Sequence, residues 1–193
     1  MSAGEHLEHV EVPSPRALHD WLTEHHDQQA GVWIVTWKKH VPDRYVTREQ
    51  VLDELVAFGW TDGILRRIDE DRTRQLVSPR RTAPWARSYK DRAERLIAEG
   101  RMQPSGLAAV EEARATGMWD AMDDVDALRV PDDLTEALRA RPPAAAHFQA
   151  FPPSVRRSIL RWIASARTDG TRAGRITRTA TDAQQNVRVK SHG

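Results

Sequence analysis

The chain has 193 residues, enough for one domain with a sizeable core, and its 39% hydrophobic and 30% charged content is that of a globular protein. It has no cysteine, which excludes disulfides, thiolate catalysis and sulfur-ligated zinc or iron–sulfur centres. No apolar run approaches the roughly 20 residues that span a bilayer, and Met1–His6 lacks the basic and apolar regions of a secretory signal, so a cytoplasmic location and no membrane partner are the expectation. Net charge is only +1 but uneven: residues 154–193 hold nine Lys and Arg against Asp169 and Asp182, leaving twenty basic and twenty-six acidic groups in the first 153 residues. A basic end of this kind suits nucleic acid through Arg156, Arg157, Arg172, Arg175 and Arg178. It also suits a basic helix neutralised by an acidic body, and the lack of aromatic residues interleaved after Trp162 favours the latter.

In chain order, His6–Val12 alternates weakly and predicts an edge strand. Ser14-Pro15 reads as an N-cap and first helical residue for a helix burying Leu18, Trp21 and Leu22. Gly31–Lys39 is the clearest strand, and its two apolar faces place it centrally in its sheet. Thr47-Arg48-Glu49-Gln50 is a capping box opening a helix with Val51, Leu52, Leu55 and Val56 inward, stopped by Gly59. Trp60–Asp69 and Arg72–Ser78 follow as two strands around an acidic turn.

From Pro84 onward the pattern is helical. One stretch ends at Leu96 and Ile97 with Gly100 as its cap, and another runs from Pro104 to Gly117. Asp120, Asp123, Asp124 and Asp126 read as an acidic loop. A helix from Pro131 through Leu138 is stopped by Pro142-Pro143. Ser154 is expected to cap a helix with Val155, Ile159, Trp162 and Ile163 on one stripe, and Thr171 to start a last helix bearing Ile176, Ala180, Ala183 and Val187. The expected class is α+β: a small antiparallel sheet with helices on one face, in a single domain over 1–193 whose sheet-bearing half (1–83) and helical half (84–193) share one core.

Three stretches carry residue types suited to a site. In the strand, Trp33, Val35, Trp37 and Lys39 share a face, so that Trp37 with Lys38 and Lys39 beside it offers a stacking wall for a planar or anionic ligand; packed beneath helices, the same indoles are core. In Phe58-Gly59-Trp60-Thr61-Asp62-Gly63, Asp62 suits a general base or a polar anchor, and equally a turn-forming carboxylate. In Ser78–Arg87, a proline-bracketed loop presents Arg80, Arg81 and Trp85, which suit a phosphate or carboxylate with an indole against the rest of the ligand; the alternative is a solvated basic loop pinned by its Trp. The histidines have no metal-ligand spacing, the acidic run lacks an EF-hand pattern, and neither a nucleophile elbow nor a Walker or dinucleotide motif occurs, so neither metal nor cofactor is expected.

Phe58–Gly63, Ser78-Pro79-Arg80-Arg81 and Arg95–Met102, supported by Gly31-Val32-Trp33 with Lys38-Lys39, by Gly106-Leu107 through Gly117-Met118-Trp119, and by Trp162-Ile163 through Thr171–Ile176, resemble the YdeI/OmpD-associated family, also labelled bacteriocin-protection proteins. The resemblance implies a part in bacterial protection or stress tolerance toward antimicrobial agents. Thr61 departs from the family's usual Ile between Trp and Asp, and Ala86 and Tyr89 replace its usual Ser and Asn, which removes two polar groups beside the expected site.

The leading expectation is a non-catalytic protein that binds a small, partly aromatic or anionic molecule. Trp37, Trp60 and Trp85 would stack on it, Lys38, Arg80 and Arg81 would neutralise it, and Asp62 would orient it. A cofactor-independent enzyme with Asp62 as acid–base and Arg80 or Arg81 polarising the substrate is second, and nucleic-acid association through the C-terminal arginines third.

Overall fold

The computed structural model describes residues 6–189. The chain divides into two compact units, one up to Asp120 and one from Ala121 onward.

The first unit opens with β1 (His9–Glu11), α1 (Pro15–His25) and β2 (Val32–Trp37), followed by a short 3-10 turn at Pro42–Arg44 and α2 (Arg48–Ala57). It continues with β3 (Trp60–Arg67), β4 (Arg72–Pro79), α3 (Arg87–Ala98) and α4 (Pro104–Ala115). The sheet order is β1-β2-β4-β3. β2 therefore lies between two neighbours, as its doubly apolar sequence requires. The sheet is mixed rather than wholly antiparallel, because β1 runs parallel to β2. The physical reason is α1, a crossover that returns the chain so that the next strand can start at the same end.

Local signals set the element ends. Ser14 Oγ accepts from the Ala17 amide, and Thr47 and Gln50 make the reciprocal capping box. Gly59 closes α2 at φ +77°, a conformation that L side chains rarely adopt. The β3–β4 turn is drawn in by Asp69 Oδ1, which accepts from the amides of Asp71 (2.9 Å) and Arg72 (2.7 Å).

Helices cover one face of the sheet. The register puts Val10, Val32, Ile34 and Val77 on that face, where they join one buried cluster with Leu18 and Leu22 of α1, Leu55 of α2, Leu96 of α3 and Val110 of α4. The opposite face carries Trp33, Val35 and Trp37, which are buried but lie outside this cluster.

The second unit holds α5 (Asp123–Asp126), α6 (Asp132–Arg139), α7 (Ala144–Ala150), α8 (Pro153–Ala164) and α9 (Asp169–Gln184). Leu134, Phe148, Ile159, Ile163 and Ala180 centre a second buried cluster. The helical stretch expected to share the sheet's core thus splits: α3 and α4 do so, while the helices after Asp120 gather round side chains of their own. The acidic run is partly helical, as α5. Ser154 caps nothing, because Pro152 is the N-cap of α8 and Pro153 its first residue. α9 starts at Asp169, two residues before Thr171, and is capped by Thr168, whose Oγ1 accepts from the Thr171 amide at 3.1 Å. Among the described residues, no helix is long and apolar enough to cross a membrane.

Candidate functional site

Asp62, on the edge strand β3, gathers three side-chain donors. One carboxylate oxygen accepts from Gln75 Nε2 (2.8 Å) and from Arg48 (3.2 Å); the other accepts from the Tyr89 hydroxyl. Its side chain is largely buried. Three elements converge here: Arg48 is the first residue of α2, Gln75 lies on β4, and Tyr89 is in the first turn of α3. Burial pushes the Tyr89 hydroxyl above the ordinary tyrosine value, and its hydrogen bond to the Asp62 carboxylate adds to the rise.

On the Tyr89 side, Arg80 lies against the rings of Trp85 (4.2 Å to the centroid) and Tyr89 (4.7 Å). It donates to Thr61 Oγ1 and to the carbonyls of Ala83 and Pro84. Burial lowers its pKa from the usual arginine value, partly offset by Tyr89 and Asp62. Its Nε is buried without a partner. These contacts make Arg80 a latch on its own loop. Trp85 is 1% exposed and packs on Trp119 at 5.1 Å; Trp60 is fully buried, edge-on to Trp21 at 5.6 Å. Neither indole presents an open face. Arg81 is exposed, donates to the Gln29 carbonyl, and with Arg80 borders a small hollow of about 180 Å³ against Glu112 and Thr116 of and beyond α4.

On the other side of Asp62 lies a hollow of about 300 Å³. Trp37, Lys38 and Lys39 border it at the end of β2, with Tyr45, bridged to Trp37, with Arg48, and with Val51, Leu65 and Gln75. Lys38 Nζ is spent on the carbonyls of Asp69 (2.9 Å) and Glu70 (2.8 Å), so it ties the β3–β4 turn to β2. Lys39 and Tyr45 are exposed. Trp37 is 8% exposed, with the Arg44 guanidinium 5.2 Å from its ring. Arg48 and Gln75 belong to this wall and to the Asp62 cluster at once, so the hollow is joined to Asp62 by two hydrogen-bond donors.

Of the seven sequence-derived site residues, Trp37 and Lys38 thus border one hollow with Asp62 linked to it, Arg80 and Arg81 border another, and Trp60 and Trp85 sit in the core. Tyr45, Arg48, Gln75 and Tyr89 were missed. Arg48 had a sequence signal in its place in the capping box, and Tyr89 in its departure from the family's usual Asn; Tyr45 and Gln75 are brought in by strand pairing and register. Among the described residues, no group of three or more His, Asp or Glu side chains is placed to hold a metal ion.

In the second unit, Arg172 grips Asp133 through two hydrogen bonds (2.7 and 3.0 Å), Arg175 donates to Ser165 Oγ and lies over Trp162, and Arg157 and Arg161 approach Asp126. Arg178 lies 3.8 Å from Asp182, and Arg156 Nε is buried without a partner. A hollow of about 480 Å³ between Val125, Leu160 and Ile163 is rimmed by Arg129, paired with Asp124, and by Arg172.

No curated protein and no solved structure matches the chain. A family model described as "Domain of unknown function (DUF8412)" matches residues 10–109, within the first unit. A second, described as "Bacteriocin-protection, YdeI or OmpD-Associated", matches residues 127–186, within the second. The first model takes in just over half of the sequence; the second takes in the Trp162–Ile176 block that carries part of the resemblance. The chain belongs to the first family by that coverage, and its second unit matches the model of the bacteriocin-protection, YdeI or OmpD-associated family.

Proposed function

We propose that this chain is a non-catalytic bacterial protection protein that binds a small, partly aromatic anion in the hollow between Trp37, Tyr45 and Arg48. The observation that carries this reading is the make-up of that border: Trp37 and Tyr45, exposed Lys39 and Arg48, and the apolar Val51 and Leu65, around about 300 Å³. Apolar and aromatic surface with a few converging charges is the usual character of a small-molecule site. Arg48 would meet the anion while Asp62 and Gln75 hold its guanidinium side of the wall in place. Trp60, Trp85 and Arg80 would act from behind, fixing β3 and the Arg80 loop, and Arg81 would stay on the rim of the neighbouring hollow.

Binding is favoured over the acid–base reading because Asp62 already accepts from three side-chain donors. A carboxylate so occupied has to shed a partner before it can take a proton from a substrate. Salicylate serves as the probe. Isothermal titration is expected to show saturable binding, weakened about tenfold, about 1.4 kcal/mol, by Lys39→Gln and by Tyr45→Ala. Unaltered affinity in both variants would remove the assignment.

A further inference from the structure

The sheet face away from the helices holds a second, separate concentration of charge. Register places His9 opposite Trp33, Glu11 opposite Val35, and Val35 opposite Arg74 across three neighbouring strands. Arg72 lies two residues before Arg74 on the same side of β4. A hollow of about 500 Å³ opens over Val35, bordered by His9, Glu11, Arg72 and Arg74 and by Arg67 and Ile68.

The three arginines are not equally neutralised. Arg72 is held by Asp69 at 2.8 Å and lies 3.6 Å from Glu11. Arg74 has no carboxylate within 4.0 Å among the described residues; its NH1 lies 2.9 Å from His9 Nε2, and its guanidinium lies 4.6 Å from the Trp33 ring centroid. Since a guanidinium only donates, His9 Nε2 is the acceptor in this hydrogen bond. Arg67 donates to the Asp69 carbonyl and likewise has no carboxylate within that distance. Two guanidinium groups without a carboxylate thus border one hollow with a third that shares two, a grouping of like charge. A multiply charged oxyanion answers that charge, and guanidinium forks match its geometry.

We propose that this hollow is an oxyanion site of phosphate type, with Arg74 as its principal ligand, Arg67 and Arg72 supporting it, and Glu11 limiting its affinity. Trp33 fixes the Arg74 plane from below and His9 from the side. This site does not share its lining with the Trp37–Arg48 hollow.

The test is isothermal titration of the full chain with inorganic phosphate at constant ionic strength, with acetate as a singly charged control. Saturable phosphate binding is expected, with acetate at least tenfold weaker. Arg74→Gln is expected to weaken phosphate binding at least tenfold, and Glu11→Gln to tighten it severalfold by removing the one carboxylate that borders the hollow. Lys39→Gln is expected to leave it unchanged. Should Arg74→Gln fail to fold, Glu11→Gln decides. Absent phosphate saturation, acetate binding as tightly as phosphate, no tightening in Glu11→Gln, unchanged affinity in a folded Arg74→Gln, or weakening in Lys39→Gln each overturns the assignment.

Discussion

The Tyr89 hydroxyl donates to Asp62 while its ring packs between Arg80 and, edge-on, Trp85. Tyr89→Phe keeps the ring and deletes the donor, leaving a largely buried carboxylate with two side-chain partners. A loss of about 1–2 kcal/mol in urea denaturation is expected; no loss would mean that Arg48 and Gln75 suffice. The same residue shows what reading from family patterns misses. Tyr in place of the usual Asn looked like the loss of a polar group, yet the longer side chain delivers its hydroxyl from the first turn of α3 to the carboxylate on β3. In the second unit, the two hydrogen bonds from Arg172 hold the Asp133 carboxyl below the ordinary aspartate value. A depressed carboxyl stabilises the folded chain above its unfolded value, near pH 4, and the gain disappears as pH falls through the folded value. Because the pair is partly exposed, about 0.5 kcal/mol or less is at stake. Asp133→Asn should therefore lose slightly less stability than the wild type between pH 6 and pH 3, and a steeper loss in the variant would reverse the assigned sign.

At the scale of elements, α2 and α4 meet where Gly106 faces the end of α2. A Cβ there would sit 2.1 Å from the Ala57 carbonyl oxygen. Backbone cannot yield as a flexible side chain does, so Gly106→Ala is expected to cost about 1–3 kcal/mol despite Ala's better helix propensity. A thermal melt showing equal or higher stability would mean that the helices separate freely. Elements with a cap or a stop in the local sequence were legible: α1 from Ser14-Pro15, α2 from its capping box, α3 and α4 from their terminal glycines. Those that failed had other determinants. The start of α8 is set by Pro153, whose fixed φ suits a first helical position, and not by the neighbouring Ser154 hydroxyl. α5 and α7, at four and seven residues, are too short to show a helical period. The direction of β1 depends on what α1 does between two strands, which no window over either strand contains.

Over the whole molecule, the charge asymmetry has a local resolution. Arg157, Arg161, Arg172 and Arg178 of the basic end lie near Asp126, Asp133 and Asp182, so acids on both sides of residue 154 answer the basic helices within the second unit. The residues of the candidate site were less legible than the fold because burial sorts them. Trp37, Trp60 and Trp85 carry the same side chain in similar company in the sequence, and only the packing of α1 and α3 and the course of the loop after β2 decide that two are sealed while one borders a hollow. Tyr45 and Arg48 meet Trp37 through that loop, eight and eleven residues on, at no spacing a motif would reveal.

These differences in placement give the salicylate reading a direct measurement: the tryptophan indole resonances in a two-dimensional 1H–15N spectrum during titration. The expected result is a saturable shift of the Trp37 indole signal, assigned by Trp37→Phe, with the Trp60 and Trp85 signals held in place. A Trp37 signal that stays fixed while salicylate binds, or a shift confined to the two buried indoles, would contradict it.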